Sequence, residues 1–423
     1  MENASNITEI AIVVMVALTG GLVLARLKQP PILGYVLAGV LLGPSGMELV
    51  QSRESVTTLA DLGILLLLFG LGMELNLRIF KKVWIVTTLC TILQTLFSFV
   101  ICWSCSTIFG WSLGMSVLLG FVIALSSTAV IVKTLESMDS DKTEVGQITI
   151  GILIAQDLAI IPMILILKSQ NATDTLDISL IFKLLVAVGM TVWLIRYLGA
   201  RQRVRIPLTT IIAGEKELTP IASLTFCFAA AGISGLMDLS TAYGAFLAGL
   251  VLGNTHERNV LIDSTKPIQT VLLMVFFLSI GLLVDVPFII KNIGMVLQGL
   301  VIVTVIKLVL NMSILHALRL PWAQSSLIAV MLAQLGEFSF LLTGIGFKEG
   351  IITAFEQKLI ISLTVLSLAL SPFLISFSRY VQTKNQGLSF IEGLKNLFKL
   401  NFSSKNEEQK LLDQEEEVKE VIK

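Results

Sequence analysis

Charged residues are scarce in this chain, and their scarcity excludes most classes of protein. Asp, Glu, Lys and Arg together make up 14% of its 423 residues, whereas soluble domains carry about 25%. Hydrophobic residues reach 55%, and the mean hydropathy is +0.87. The net charge is zero, so nothing indicates binding to nucleic acid. The composition predicts an all-α polytopic protein whose main partner is the lipid bilayer.

Residues that carry enzyme chemistry are also few. The chain has 4 cysteines and 2 histidines. Cys102 and Cys105 match C-x-x-C, but no second ligand pair accompanies them, so packing is the expected role. An intramembrane aspartyl protease needs two carboxylates in one site, and a serine protease needs a base. His256 and His316 both lie at expected membrane boundaries. Neither an enzyme nor a cofactor is predicted.

Long apolar runs dominate the chain, and hydropathy predicts about thirteen spans. They cover residues 6–24, 31–43, 57–75, 83–106, 112–133, 146–168, 178–198, 218–233, 240–254, 267–285, 293–317, 322–346 and 355–378. If the seventh span is a linker, six spans lie on each side of it, as two inverted-topology repeats require. The expected divisions are a transmembrane domain over 1–380 and a cytoplasmic tail over 381–423, first amphipathic and then charged.

The positions of Lys and Arg predict the orientation. These residues concentrate in alternate loops, most densely in the basic connector over 199–217, which contains Arg201, Arg203 and Arg205. Positive charge favours the cytoplasmic side. We therefore expect the inner (plasma) membrane, with the N-terminus outside and the C-terminus in the cytoplasm.

Asp157 is the most informative residue, because it is the only carboxylate in the run ITIGILIAQDLAIIPMILIL. Roughly eleven residues separate it from either end, so it lies about 16 Å deep. That depth is near the middle of a hydrocarbon core about 30 Å thick. An unpaired carboxylate there is costly, so it is either protonated or bound to a cation. This choice is typical of a cation/proton exchanger; a packing Asp bonded to a hydroxyl is the alternative.

Three hydroxyl residues, Ser126, Ser127 and Thr128, lie near the midpoint of the span over 112–133. Such side chains bond their own backbone and can loosen a helix. An opened turn exposes carbonyl oxygens, which together with hydroxyls suit an alkali cation. The alternative is that these residues only pack against neighbouring helices.

A second polar interruption occurs at the corresponding place in the other half. Gln334, Gly336 and Glu337 interrupt the apolar run AVMLAQLGEFSFLLTG. Glu337 is expected to cap an opened half-helix, because the positive end of the helix dipole stabilises a carboxylate. Paired interruptions of this kind indicate a binding site at the membrane midplane. A purely structural hydrogen bond from Glu337 is the alternative.

Two further charges are candidates for supporting roles. Lys307 lies about ten residues, some 15 Å, from the nearer end of its span. A Lys at that depth needs an acid or other strong acceptors, so it either holds Asp157 or Glu337 or bonds the carbonyls of a broken helix. Glu74 is expected to pair with Arg78, one helical turn later.

Seven sequence blocks resemble the monovalent cation:proton antiporter family, in the branch that contains the Kef-type potassium efflux transporters. In order they are LKQPPILGYVLAGVLLGP, LLLLFGLGMELN, ALSSTAVIVKTLE, GILIAQDLAIIPM, STAYGAFLAGLVLG, LMVFFLSIGLLVDV and AQLGEFSFLL. The resemblance implies a homodimer with a scaffold, a mobile core, two crossing broken helices and alternating access. By position it implies that Asp157 is the exchanging carboxylate and metal-ion ligand, that Ser126 to Thr128 lie on a broken helix, and that Lys307 faces the core.

The pair Gln156-Asp157 refines what the resemblance implies. Electrogenic relatives carry two acidic residues or Asn-Asp at this place, whereas Gln-Asp resembles the potassium-handling members. The transported ions implied are K⁺, with Na⁺ as the alternative, and H⁺, in a one-for-one electroneutral exchange. Kef-type proteins also carry a cytoplasmic nucleotide-binding domain, but no G-x-G-x-x-G follows here. The implied partner is a regulatory subunit or a missing C-terminal regulatory domain.

Two other transport functions are alternatives. An ion channel is less consistent with the sequence, because no T-V-G-Y-G filter is present and a titrating acid at mid-membrane suits exchange. A sodium-coupled symporter of an organic solute shares inverted repeats and broken helices. Proton-linked flux of alkali cations without any organic solute would distinguish an antiporter from that symporter.

Overall fold

A computed structural model describes residues 2–27, 31–44, 46–48, 53–75, 77–137, 140, 143–169, 178–200, 215, 217–237 and 240–384. All regular elements within these ranges are helices. They are α1 (Glu2–Arg26), α2 (Pro31–Leu42), α3 (Arg53–Glu74), α4 (Leu77–Phe109), α5 (Leu113–Ala124), α6 (Thr128–Ser137), α7 (Glu144–Ser169), α8 (Ile178–Ala200), α9 (Leu218–Leu236), α10 (Thr241–Leu252), α11 (Arg258–Leu283), α12 (Val286–Lys291), α13 (Ile293–Ala317), α14 (Trp322–Met331), α15 (Phe338–Lys348) and α16 (Ala354–Lys384).

Several of these helices are long and apolar enough to cross a membrane. Among the described residues there are 6, and they belong to α4, α7, α9, α11, α13 and α16. Shorter apolar helices include α2, α5, α10, α14 and α15. The prediction of an all-α polytopic membrane protein is therefore confirmed.

Most predicted spans coincide with helices to within a few residues. α2 begins at Pro31 and ends at Leu42, as its flanking proline and glycine indicate. α11 begins at Arg258, well before the predicted start at 267, and Pro267 lies inside it. Hydropathy misses this segment because the helix continues into a polar stretch that no apolar run marks. α16 likewise extends to Lys384, beyond the expected domain boundary at 380.

Two predicted spans are not continuous helices. The span over 112–133 is divided into α5 and α6 by residues 125–127, and the span over 322–346 is divided into α14 and α15 by residues 332–337. Both interruptions fall where the sequence predicts polar breaks.

The helices form two packed groups. The scaffold group contains α1, α2, α3, α9, α10 and α11: α3 packs against α10 and α11, while α2 packs against α1 and α11. The core group contains α4 to α7 and α13 to α16: α4 packs against α5 and α7, while α15 packs against α5, α7 and α16. Packing in the first half recurs in the second, since α4 with α5 corresponds to α13 with α14. The helix α8 packs on α4 and α7.

A repeated glycine pattern underlies this symmetry. Gly34, Gly39 and Gly43 in and just after α2 recur at the same spacing as Gly244, Gly249 and Gly253 in and just after α10. A Cβ on Gly39 would meet the Leu278 carbonyl oxygen of α11, and one on Gly249 would meet the Phe69 carbonyl oxygen of α3. Both halves thus use glycine to bring two backbones into contact, as membrane helices commonly do.

The two halves have opposite orientations. α3 and α11 occupy equivalent positions in the two halves, and they pack against each other. A Cβ on Gly63 of α3 would meet Leu272 and Phe276 of α11, whereas one on Gly70 would meet Gln269. As the residue number rises along α3, the number of the contacted residue in α11 falls, so the two helices are antiparallel. This is the relation that inverted-topology repeats require.

Two ion pairs join the groups at one end of the molecule. Lys348 Nζ at the end of α15 lies 3.6 Å from Asp61 Oδ2 of α3. Lys358 Nζ of α16 lies 2.7 Å from Asp285 Oδ2, just after α11. In both pairs the acid belongs to the scaffold side and the lysine to the core. The side chains are partly exposed, so each pair adds little to the free energy of unfolding.

Some predicted features lie outside the described residues. They are the tail from residue 385 onward and most of the basic connector over 199–217. The four cysteines, at 90, 102, 105 and 227, are free thiols in helices, and Cys102 is buried.

Candidate cation and proton site

The first helix break separates the C-terminal end of α5 from the N-terminal end of α6. α5 ends at Ala124, where the Leu125 N–H still donates to the Phe121 carbonyl oxygen at 3.2 Å. Leu125 has an extended backbone, residues 125–127 are not helical, and α6 begins at Thr128. A helix carries partial negative charge at its C-terminus and partial positive charge at its N-terminus. The break therefore needs a cation at one side and an anion at the other.

Lys307 supplies the cation at the end of α5. Its side chain comes from α13 and is 1% exposed. Nζ donates to the carbonyl oxygens of Ile123 and Leu125, both at 2.6 Å, and to Ser126 Oγ at 3.3 Å. An ammonium group has three donors, and all three are used. Of the two predicted roles for Lys307, this structure shows the bonding of exposed carbonyls.

Asp157 supplies the anion at the start of α6. It lies on α7 and is 2% exposed. The Thr128 hydroxyl donates to it, at 3.2 Å from Oδ1 and 3.1 Å from Oδ2. Ser127 precedes α6, and its Oγ accepts from the Val130 N–H at 3.5 Å, a long capping contact. The carboxylate thus lies at the positive end of a half-helix, buried in protein.

The second break contains polar groups that the predicted repeat leads us to expect. Leu335 N–H donates to Ser367 Oγ of α16 at 3.0 Å, which fixes the segment. Gln334 is 1% exposed, and among the described residues neither its Oε1 nor its Nε2 has a hydrogen-bond partner. Glu337 occupies the N-cap position of α15, as predicted, but its side chain makes no capping hydrogen bond. Glu337 directly follows Gly336 in the sequence, and its side chain is 6% exposed.

The two breaks touch at Ser126 and Gly336. A Cβ on Gly336 would lie 2.8 Å from the Ser126 carbonyl oxygen, closer than two such atoms can pack. Ser126 Oγ also donates to the Leu332 carbonyl oxygen at 2.8 Å. The crossing therefore depends on the missing side chain of Gly336 and on the Ser126 hydroxyl.

Gln156 contacts the first break beside Asp157. Its Oε1 accepts from the Ser126 N–H at 2.9 Å, and its Nε2 donates to Gln94 Oε1 at 2.9 Å. Gln94 Nε2 in turn donates to Asn311 Oδ1 at 2.9 Å. Sequence reasoning missed Gln94 and Asn311. The available signals were that Gln94 is a carboxamide within the apolar run of α4 and that Asn311 follows Lys307 by one helical turn.

Glu74 lies apart from this hydrogen-bonded network. It is exposed at the end of α3, where Lys266 Nζ lies 3.7 Å from its Oε1. Its carbonyl oxygen accepts from Arg258 Nη2 at 2.9 Å. The Arg78 side chain, its predicted partner, lies outside the described residues. The other predicted residues, Gln156, Asp157, Ser126 to Thr128, Lys307, Gln334 and Glu337, all lie at or beside the two breaks.

Comparison with known families assigns the chain. The family described as "Sodium/hydrogen exchanger, transmembrane" matches residues 13–377. The chain belongs to this family. The predicted membership of the monovalent cation:proton antiporters is thereby confirmed, and members of the family are secondary transporters and not enzymes.

Several curated relatives are similar over most of this chain. "Iron transporter MagA" of Paramagnetospirillum magneticum is 47% identical over 87% of the chain and 84% of its own length. "K(+) efflux antiporter 5" of Arabidopsis thaliana is 30% identical over 87% of the chain and 66% of its length. "Glutathione-regulated potassium-efflux system protein KefC" of Escherichia coli is 30% identical over 83% of the chain, which spans 57% of that protein.

A solved structure supports the fold. The sodium proton antiporter MjNhaP1 from Methanocaldococcus jannaschii superposes with a TM-score of 0.68, over 89% of this chain and 98% of that chain. The sequence identity is 14%, so the likeness concerns the arrangement of helices.

Proposed function

We propose that this protein is a secondary active antiporter that exchanges a monovalent cation for a proton. One observation carries the proposal: Asp157 is buried at the positive end of α6, where two broken helices cross, and the Thr128 hydroxyl donates a hydrogen bond to its carboxylate. A carboxylate in such a place is stable when it binds either a proton or a cation. Competition between the two for the same oxygens couples their transport.

This geometry supports one set of cation ligands. Asp157 Oδ1 and Oδ2 and the Thr128 hydroxyl are the oxygen donors we assign, with water completing the shell. The carbonyls of Ile123 and Leu125, which an opened turn exposes, bond Lys307 instead. Gln156 has both ends of its carboxamide in hydrogen bonds. We therefore give Gln156, Ser126 and Lys307 the role of shaping the site.

Charge balance supports an electroneutral exchange. Among the described residues, three charged side chains are buried: Asp157, Glu337 and Lys307. With all three ionised they carry one net negative charge, which either one proton or one monovalent cation neutralises. Moving an uncompensated charge through a low-dielectric region is costly. A one-for-one exchange lets the core move without a net charge in both directions.

Potassium is the cation we propose, with rubidium also transported. The site offers one titrating carboxylate and a neutral oxygen, a weak field that favours the ion with the lower dehydration cost. The relatives named as potassium efflux antiporters agree with this choice. A further relative is named an iron transporter, so Fe²⁺ belongs in the test. In the described part of the chain, no group of three or more His, Cys, Asp or Glu could hold a metal ion.

Alternating access and location complete the proposal. The core group would move against the scaffold group to expose the site to each side in turn. We propose a homodimer in the inner (plasma) membrane, with the N-terminus outside and the C-terminus in the cytoplasm. A regulatory domain or subunit would act on the cytoplasmic side.

Purified protein in sealed vesicles tests this function. We would trap a pH-sensitive dye inside and add Li⁺, Na⁺, K⁺, Rb⁺ or Fe²⁺ in turn, with no organic solute present. We expect proton movement with K⁺ and Rb⁺ and a lower apparent Michaelis constant for K⁺ than for Na⁺. Clamping the membrane potential with an ionophore should leave the rate unchanged, because no net charge crosses.

The outcomes separate the parts of the proposal. Proton movement with Na⁺ and Li⁺ alone would overturn the potassium preference but keep the antiporter. A rate that depends strongly on voltage would overturn the one-for-one exchange. No proton movement with any cation would exclude the function and would leave a symporter or a channel to be tested.

A further inference from the structure

Five hydrogen bonds form a closed ring through both helix breaks. The ring runs from the Ser126 N–H through the carboxamides of Gln156, Gln94 and Asn311 to the Leu332 carbonyl oxygen. Three of these bonds are 2.9 Å long, and the last, from Asn311 Nδ2, is 3.4 Å. The Ser126 hydroxyl closes the ring on the same carbonyl oxygen at 2.8 Å.

The direction of this ring is fixed by its two ends. A backbone N–H can only donate, and a backbone carbonyl can only accept. Because Ser126 donates at one end and Leu332 accepts at the other, each carboxamide must accept on its Ser126 side and donate on its Leu332 side. Rotating one amide by half a turn would place oxygen against oxygen at one side of it and nitrogen against nitrogen at the other.

The ring connects parts of the chain that are distant in sequence. Gln94 lies on α4, Gln156 on α7 and Asn311 on α13, while Ser126 and Leu332 belong to the two breaks. These side chains are at most 3% exposed, so no water can replace a lost bond cheaply. Gln156 precedes Asp157 directly, and therefore the ring fixes the rotation and height of α7 beside Thr128.

We propose that Gln94 and Asn311 are positioning residues, which hold Gln156 in a hydrogen-bond ring of fixed direction and thereby place Asp157 at the start of α6 for cation binding. The proposal rests on the proposed cation/proton exchange. The hydrogen bonds of both residues go to the other members of the ring and not to the carboxylate, so both act through Gln156 and Ser126. The ring also makes α4, α7, α13 and the two breaks move as one unit.

The fixed direction of the hydrogen bonds predicts a pH dependence that a purely packing role of Gln94 would not produce. In Gln94→Glu, a protonated carboxyl group can still accept from Gln156 and donate its O–H to Asn311. The ionised carboxylate has no proton to donate, so two oxygens would face each other. The ratio of the exchange rate of this variant to the wild-type rate at the same pH should therefore be near one at low pH. This ratio should fall as the pH rises.

The expected fall is about tenfold or more in rate, as for one buried hydrogen-bonding group left unsatisfied. It should be reversible when the pH is lowered again in the same vesicles. Gln94→Met, which cannot form the ring, should show a low ratio and a raised Michaelis constant for the cation at every pH. Gln269→Glu is the matched control, because Gln269 of α11 packs against Gly70 outside the ring; its ratio should not change with pH.

Asn311→Asp repeats the test from another member of the ring and serves if Gln94→Glu does not fold. It should show the same fall with rising pH. A ratio that is independent of pH in both acidic variants, or wild-type exchange by Gln94→Met, would overturn the proposal. Absence of exchange by the wild-type protein in the same vesicles would instead reject the proposed function, so the two failures are distinguishable.

Discussion

At the scale of single residues, two opposite charges stabilise the first helix break. Lys307 bonds the carbonyls at the end of α5, and Asp157 faces the start of α6. Each charge compensates the partial charge of a helix end. The difference between them is that Lys307 uses all three donors on fixed acceptors, whereas Asp157 accepts from a hydroxyl and keeps capacity for a cation. We therefore propose that Lys307 belongs to the frame of the site and that Asp157 carries the exchange.

Replacing Lys307 tests this division of roles. Lys307→Met leaves the carbonyl oxygens of Ile123 and Leu125 buried without their donor. We expect the free energy of unfolding to fall by about 3 kcal/mol, read as a lower melting temperature in detergent. Lys291→Met, the same change at an exposed lysine of α12, should melt like the wild type.

A different outcome would give Lys307 another role. If Lys307→Met melts like the wild type but its apparent Michaelis constant for the cation changes strongly, Lys307 acts on Asp157 as a counter-ion, and the framing role is wrong.

The sequence identifies charged residues of the site better than neutral ones. Asp157 and Lys307 are conspicuous because a charge deep in an apolar run is costly. Gln94 and Asn311 are less conspicuous, because a carboxamide or a hydroxyl in a membrane helix is common and often serves packing. Their importance arises from the partners that three other elements bring to them, and no local pattern contains that information.

At the scale of elements, the two broken helices are the decisive feature. The sequence predicts where both breaks lie, because hydroxyls, carboxamides and a glycine interrupt apolar runs. It does not predict their lengths, which differ: residues 125–127 in one and 332–337 in the other. The length of each break depends on which side chains of other helices bond the backbone groups that leave the helix. Ser367, which accepts from the Leu335 N–H, is one example of such a tertiary contact.

Gly336→Ala tests the contact between the breaks. Its Cβ would lie 2.8 Å from the Ser126 carbonyl oxygen, so the crossing must widen. We expect the free energy of unfolding to fall by about 1–3 kcal/mol and the exchange rate to fall as well, since Ser126 belongs to the frame around Asp157. Melting temperature and initial exchange rate measure the two effects.

Gly344→Ala is the control for that change. Gly344 lies inside α15, two helical turns after Gly336, and a Cβ there would meet nothing within 4 Å. Alanine is about 1 kcal/mol more favourable than glycine inside a helix, so this variant should be as stable as the wild type or more so. Equal behaviour of the two variants would show that the breaks do not need their close contact.

At the scale of the whole molecule, the same helix packing occurs in both halves of the chain. The scaffold group and the core group each contain helices from both halves, and equivalent helices make equivalent contacts. The number of spans and the alternation of positive charge predict inverted repeats. The glycines at matching positions of α2 and α10 show in atomic contacts that the halves are equivalent, and the antiparallel packing of α3 and α11 shows that they are inverted.

The grouping of helices could not be read from the chain. Scaffold and core each combine segments far apart in sequence, and hydropathy marks only that a segment is apolar, not which neighbour it packs against. Short helices such as α2 and α10 show the same difficulty: their glycines indicate close contact, but the partner helix follows only from the folded structure.

The central claim is that Asp157 alternately binds the proton and the cation. The most direct measurement is cation-driven proton movement by Asp157→Asn in sealed vesicles, beside the wild type and Asp263→Asn, the same change at an exposed acid of α11. We expect Asp157→Asn to fold but to move no protons, because the amide binds neither ion in exchange for the other, while Asp263→Asn behaves like the wild type. Proton movement by folded Asp157→Asn at the wild-type rate would contradict the account.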